Sequence, residues 1–234
     1  MKKVFLSVLC LCLLLTACGN SPSPQEPAQT PPRDTADTAE PSTDVSSAPK
    51  NESNILTVFF SVPEDIDPAG VDAVSGASIV VKDGTVLGNM EYMAQIIQET
   101  AGGDLFRIET VQQYPLEHEA LLDFAADELS GEARPELTAL PENLDQYGVI
   151  FLGYPNWWAD LPMPLYTFLE SVDLSGKTVI PFCAHGDSAF SRTVRTITEL
   201  QPGASVSENG LAISRGSVAH GAEDIADWVR SLGY

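Results

Sequence analysis

The chain has 234 residues, 44% hydrophobic and 8% aromatic, enough apolar material for one well-cored domain with accessory segments and too much for a disordered chain. Its 33 acids against 12 bases give a formal net charge of -21, which excludes electrostatic binding to nucleic acid or to an anionic membrane surface. Cys10 and Cys12 fall in the amino-terminal apolar run, Cys18 just after it and Cys183 in the body, so no disulfide framework is available. Cys183 follows a strand pattern and reads as a small core residue rather than a nucleophile.

Met1-Lys2-Lys3 is basic, Val4 to Leu15 is apolar, and Leu15-Thr16-Ala17-Cys18 closes the run, so residues 1–17 read as a secretory signal too short to span a bilayer. The last four residues resemble the lipobox of bacterial lipoproteins. That resemblance implies cleavage before Cys18, lipidation of its thiol, and anchoring to the bacterial cell membrane on the extracytoplasmic side. Residues 18–53 are rich in Pro, Ser, Thr, Ala, Asp and Glu and cannot bury a core. They read as a disordered tether reaching roughly 30 Å, with the folded domain at residues 54–234.

Ile55 to Phe60 predicts a first buried strand, ending at Ser61, and residues 62–86 read as a loop insertion with several acids, Pro63, Pro68 and three glycines. Gly88-Asn89 opens a helix whose apolar face is Met90, Met93, Ala94 and Ile97, stopped by Gly102-Gly103. Asp104 to Val111 predicts a peripheral strand, and Glu117 to Leu129 an acidic amphipathic helix. Val149 to Leu152 is the continuous apolar run of a central strand. Gly153 is expected to end it, with Tyr154-Pro155-Asn156 as turn formers delivering Trp157 and Trp158 onto a loop at its carboxyl end. Ligands bind at that edge of an open α/β sheet. The tryptophans leave two readings open, the cover of a flat cofactor or a cap on the sheet and following helix.

Leu165, Phe168, Leu169 and Val172 form the next helical stripe, and Lys177 to Cys183 the fourth strand, followed by the polar loop Ala184-His185-Gly186-Asp187-Ser188. Val194, Ile197 and Leu200 mark a helix, Gly210 to Ser214 a short fifth strand, and Ile225, Val229 and Leu232 a last helix. Strand and helix alternate throughout, which predicts a doubly wound parallel sheet with helices on both faces.

In this order the motifs resemble the flavodoxin family, in particular its extracytoplasmic lipoprotein branch. Ser61 and Leu87-Gly88-Asn89-Met90 match the two ends of the loop that holds the FMN phosphate, although Leu87 and Met90 replace hydroxyl residues. The resemblance implies a five-stranded sheet of order 2-1-3-4-5 and FMN as cofactor. It implies phosphate contacts from Ser61, Gly88, Asn89 and Met90, and ring contacts from Tyr154, Pro155, Asn156, Trp157 and Trp158. Ala184, His185 and Gly186 would touch the ring edge, with His185 alternatively a structural loop residue.

Asp72-Ala73-Val74-Ser75-Gly76-Ala77-Ser78 resembles the acceptor motif of proteins that carry covalent FMN, in which a flavin transferase joins the phosphate to the last hydroxyl. That implies Ser78 as acceptor; the alternative is a loop wrapping a noncovalent phosphate. The function implied is electron carriage, or reduction of a small acceptor such as a quinone, with redox partners at the membrane surface. A flavodoxin-fold binding or structural module that has lost its cofactor is the alternative.

Overall fold

The computed structural model describes residues 54–63 and 78–234; the signal segment, Cys18, the tether and residues 64–77, including Asp72 to Ala77, lie outside the described residues. Three long apolar runs make the centre of the sheet. β1 (Ile55–Phe60) pairs in parallel with β4 (Asp104–Ile108) on one side and with β5 (Val149–Pro155) on the other, and β5 pairs with β6 (Thr178–His185). All six residues of β1 are buried, because both faces of the sheet are covered.

Alternation sorts the side chains between two cores. Leu56, Val58, Phe60, Ile150, Leu152, Tyr154 and Val179 face one side with Leu165 and Phe168 of α3 (Met163–Ser171), Leu121 of α2 (His118–Ser130) and Ile197 of α4 (Thr193–Leu200). Ile55, Phe59, Phe151, Ile180 and Phe182 face the other, with Met90, Met93 and Ile97 of α1 (Asn89–Ala101) and Ile225 and Val229 of α5 (Ala222–Ser231). The doubly wound reading therefore holds.

Three details differ from expectation. Residues 79–88 are not loop but an antiparallel hairpin, β2 (Ile79–Lys82) and β3 (Thr85–Gly88), turned by Asp83 at φ 51° and Gly84 at φ 79°. An Asp-Gly pair with both residues left-handed is the turn that matches strand twist. The fifth strand is split: β7 (Ser205–Val206) pairs with Thr178 and Val179, and β8 (Leu211–Ser214) with Phe182 to His185. The break falls at Pro181, which has no N–H to donate to a ladder.

Gly153, finally, does not end the central strand, which continues to Pro155. It lies opposite Phe182, and a Cβ there would stand 2.2 Å from that ring's Cζ. Phe182 is fully buried, so the ring has no free space to enter. Gly153→Ala is expected to cost about 1–3 kcal/mol through overpacking, read as a lower denaturant midpoint with unchanged slope.

Candidate functional site

The carboxyl ends of β1, β5, β6 and β8 and the amino-terminal ends of α1 and α2 enclose a cleft with about 850 Å³ of space open to solvent. Ser61, Ser78, Asn89 and Met90 line one end. The Asn89 amide donates to the Ser78 carbonyl at 2.8 Å, which ties the start of β2 to the first residue of α1. Gly88 does not line the cleft. Its part is to let Ser61 close in, since a Cβ at Gly88 would lie 2.0 Å from Ser61 Oγ.

At the other end stands the tryptophan loop. Trp157 and Asp160 exchange backbone hydrogen bonds of 3.1 and 3.0 Å across a turn whose central residues, Trp158 and Ala159, have φ of 53° and 63°. Two left-handed residues that are not glycine cost roughly 1 kcal/mol each, so the surroundings must hold them. Asp160, only 1% exposed, supplies that hold. Its carboxylate accepts from Tyr166 Oη at 2.7 Å and Thr196 Oγ1 at 3.0 Å and pairs with Arg192 at 2.7 Å. Burial, and then the bond to Asp160, push the Tyr166 phenol up to about 12.

Trp157 packs edge-on against Phe60 at 5.6 Å and is tilted against Tyr114 at 5.7 Å, while Trp158 is 53% exposed and donates from Nε1 to the Leu122 carbonyl at 3.2 Å. A second loop is fastened to the first. Asn156 Nδ2 donates to the Ala189 carbonyl at 2.6 Å and lies 3.3 Å from Ser191 Oγ; Ala189 and Ser191 are also left-handed. Pro155, Asn156, Ala184, His185 and Gly186 complete the wall between the ends.

Chemically the cleft is set apart from the rest of the surface. In a chain with 33 acids its described lining contains no carboxylate, and it carries His118, His185 and Arg215. Leu121, Leu122 and Ala125 of α2 and the two tryptophans make its walls apolar. Asn89 Oδ1, Asn156 Oδ1 and His185 Nδ1 are buried without a hydrogen-bond partner among the described residues. Each such atom costs about 1–3 kcal/mol unless a bound group satisfies it. Together these features suit a flat, largely apolar ligand with polar edges and an anionic end.

The sequence pattern of the flavodoxin family matches residues 78–232. The chain belongs to the flavodoxin family. Its fold is similar to that of a protein from Bacteroides eggerthii put forward as a flavoprotein, at TM-score 0.56 and 23% identity over 77% of this chain and 98% of that one. A counterpart from Bacteroides uniformis, also put forward as a flavoprotein, gives TM-score 0.56 and 25% identity over 75% and 97%. A flavoprotein from Lactobacillus acidophilus, solved in complex with FMN, aligns at TM-score 0.48 and 18% identity over 71% and 96%. No curated protein matches.

Within this flavodoxin, two of the residues expected at the site stand elsewhere. Gly88 supports Ser61 from behind, and Tyr154 is fully buried beneath the loop, its hydroxyl donating to Thr193 Oγ1 at 2.9 Å. Burial raises the Tyr154 phenol above its ordinary range. Cys183 is likewise buried, and burial pushes its thiol up to about 12, so it remains a thiol near neutral pH, in keeping with a core role. The flavodoxin's cleft also contains Val62, His118, Leu121, Leu122, Ala125 and Arg215, which sequence reasoning missed. Arg215 follows β8 at the sheet edge already identified, which was a usable signal; the lean of α2 over that edge had none.

Proposed function

We propose that this flavodoxin binds FMN in the cleft and serves as an electron carrier, or as a reductase of a small acceptor such as a quinone. The observation that carries the reading is convergence. Ser61, Ser78, Asn89 and Met90 meet Pro155, Asn156, Trp157, Trp158, Ala184, His185 and Gly186 around one cleft whose described lining carries no carboxylate. Three unpartnered buried polar atoms among them fit the polar edges of a flavin and its side chain.

Ser61, Ser78 and the first turn of α1 would hold the phosphate, using amides and hydroxyls at a helix start. Trp157, fixed by Phe60 and Tyr114, and the more exposed Trp158 would cover the ring, with Asn156, Ala184, His185 and Gly186 along its edge. FMN when bound supplies the electron or hydride transfer. The chain's part is to bind, orient and shield it, and electron carriage requires no acid or base from the chain.

Two finer parts of the reading rest on sequence motifs. Ser78 is the hydroxyl to which a flavin transferase joins the FMN phosphate, a role compatible with its position on the cleft wall. Cys18 is the lipidated residue that tethers the domain outside the cytoplasm, facing redox partners at the membrane surface. The test of the central claim is direct: full-length chain incubated with FMN and desalted is expected to be yellow, with a flavin absorbance band and quenched flavin fluorescence. Colourless protein after incubation with excess FMN would defeat the redox reading in favour of a binding module.

A further inference from the structure

The phosphate end of the cleft presents an electrostatic problem. A flavodoxin with net charge -21 must admit a phosphate, and the residues flanking Gly88 and Asn89 are Leu87 and Met90, which offer no hydroxyl. Ser61 and Ser78 are the hydroxyls lining that end among the described residues. Helix-terminal amides contribute partial charge but no full one.

Arg215 is the one guanidinium in the described lining, and its backbone meets the start of α1. It is the residue immediately after β8, and its backbone is fixed on both sides: its N–H donates to the His185 carbonyl at 2.8 Å, and its carbonyl accepts from Asn89 Nδ2 at 3.3 Å. Asn89 is the first residue of α1, so the contact couples Arg215 to the helix start rather than to the tryptophan end. Asn89 is 1% exposed, and with its Nδ2 on Arg215 its Oδ1 is buried without a partner among the described residues, on the same wall. That oxygen can only accept, which suits a ribityl hydroxyl rather than the phosphate, whereas the guanidinium and the helix amino terminus are the donors and charge that suit a phosphoryl group.

We infer that Arg215 supplies the positive charge that binds the phosphate of FMN, in place of the hydroxyl residues missing at Leu87 and Met90. The inference rests on the FMN reading and goes beyond it by assigning the charge to one side chain from the far edge of the sheet. If the phosphate is esterified at Ser78 it carries a single negative charge, which one guanidinium matches.

The discriminating ligand pair is FMN against riboflavin, which differ by the phosphate alone. Full-length chain made without a flavin transferase would be titrated with each, following fluorescence quenching, as wild type, Arg215→Gln and Arg215→Lys, at low and high salt. Arg215→Gln is expected to weaken FMN roughly tenfold to a hundredfold while leaving riboflavin within about twofold. Arg215→Lys is expected to recover part of the loss. Independently of any variant, added salt is expected to narrow the wild-type preference for FMN without changing riboflavin. An unchanged FMN to riboflavin ratio in Arg215→Gln, or a wild-type ratio insensitive to salt, overturns the assignment while leaving the FMN reading standing. Wild type that binds neither flavin overturns the FMN reading itself.

Discussion

Co-expressed with a flavin transferase, the full chain is expected to gain the mass of FMN less one water on the peptide containing Ser78, and Ser78→Ala to gain none. The Ser78 carbonyl is held at 2.8 Å by the amide of Asn89, so the backbone carrying the hydroxyl is registered against the first residue of α1. The next residue, Ile79, is paired with Gly88 across the hairpin and buried in the protein. An acceptor fixed in this way needs little reorganisation to meet a phosphate held at the helix start. The effect is all or none in mass, and it has a consequence for occupancy. A noncovalent site empties whenever free FMN falls well below its dissociation constant, whereas an esterified one stays filled at any concentration. Flavin that leaves the protein on denaturation, with the Ser78 peptide at its unmodified mass, would refute covalent attachment and leave a noncovalent flavodoxin.

The parts of the structure legible in the sequence are those decided by local pattern. β1, β5 and β6 are continuous apolar runs because each is covered on both faces, and that signal survives without knowledge of neighbours. Both tryptophans reach the sheet edge as expected, although of the three expected turn formers Tyr154 and Pro155 belong to β5 and only Asn156 follows it. Tyr154 could have been placed correctly by alternation alone: it shares parity with Ile150 and Leu152, which face the same core. The β2–β3 hairpin was also available, in Asp83-Gly84 between Ile79-Val80-Val81 and Thr85-Val86-Leu87, but the glycine- and acid-rich residues before it made the whole stretch read as loop. β7 has two residues and carries no period. Gly153 looked like a strand end because glycine is a common breaker; its actual reason is the ring of Phe182 on the next strand, a contact no local window contains. His118 and Leu122 enter the cleft for the same kind of reason, whereas Arg215 follows β8 at the sheet edge and could have been found there. The positions of the first two depend on where α2 docks.

Asp160→Ala is expected to lower folding stability by about 2–4 kcal/mol and to weaken flavin binding at least several-fold, two effects with one origin. The carboxylate is 1% exposed and accepts three bonds, from Tyr166, Thr196 and Arg192. Its removal leaves the half-buried Tyr166 hydroxyl without its acceptor and the Thr196 hydroxyl with the Arg192 carbonyl alone, at 3.3 Å, while Arg192, 59% exposed, can be solvated again. The loss therefore comes mainly from the Tyr166 hydroxyl, the broken link to Thr196 and the space left behind. The carboxylate also anchors, through Tyr166, Thr196 and Arg192, the residue whose backbone closes the turn that keeps Trp158 and Ala159 at positive φ; alanine retains those backbone bonds but not the anchor. Without it that strain of roughly 2 kcal/mol can relax, and the tryptophans lose the position in which they flank the cleft. Asp160→Asn retains the shape and acceptors for one hydroxyl but loses the charge facing Arg192, so it should fall between wild type and alanine in both measurements. Denaturant unfolding gives the stability and FMN titration the affinity. An Asp160→Ala protein that is destabilised yet binds FMN with wild-type affinity would separate the two effects, and the tryptophan turn would then be held by Trp158 Nε1 on Leu122 and by Asn156 on Ala189 rather than by Asp160.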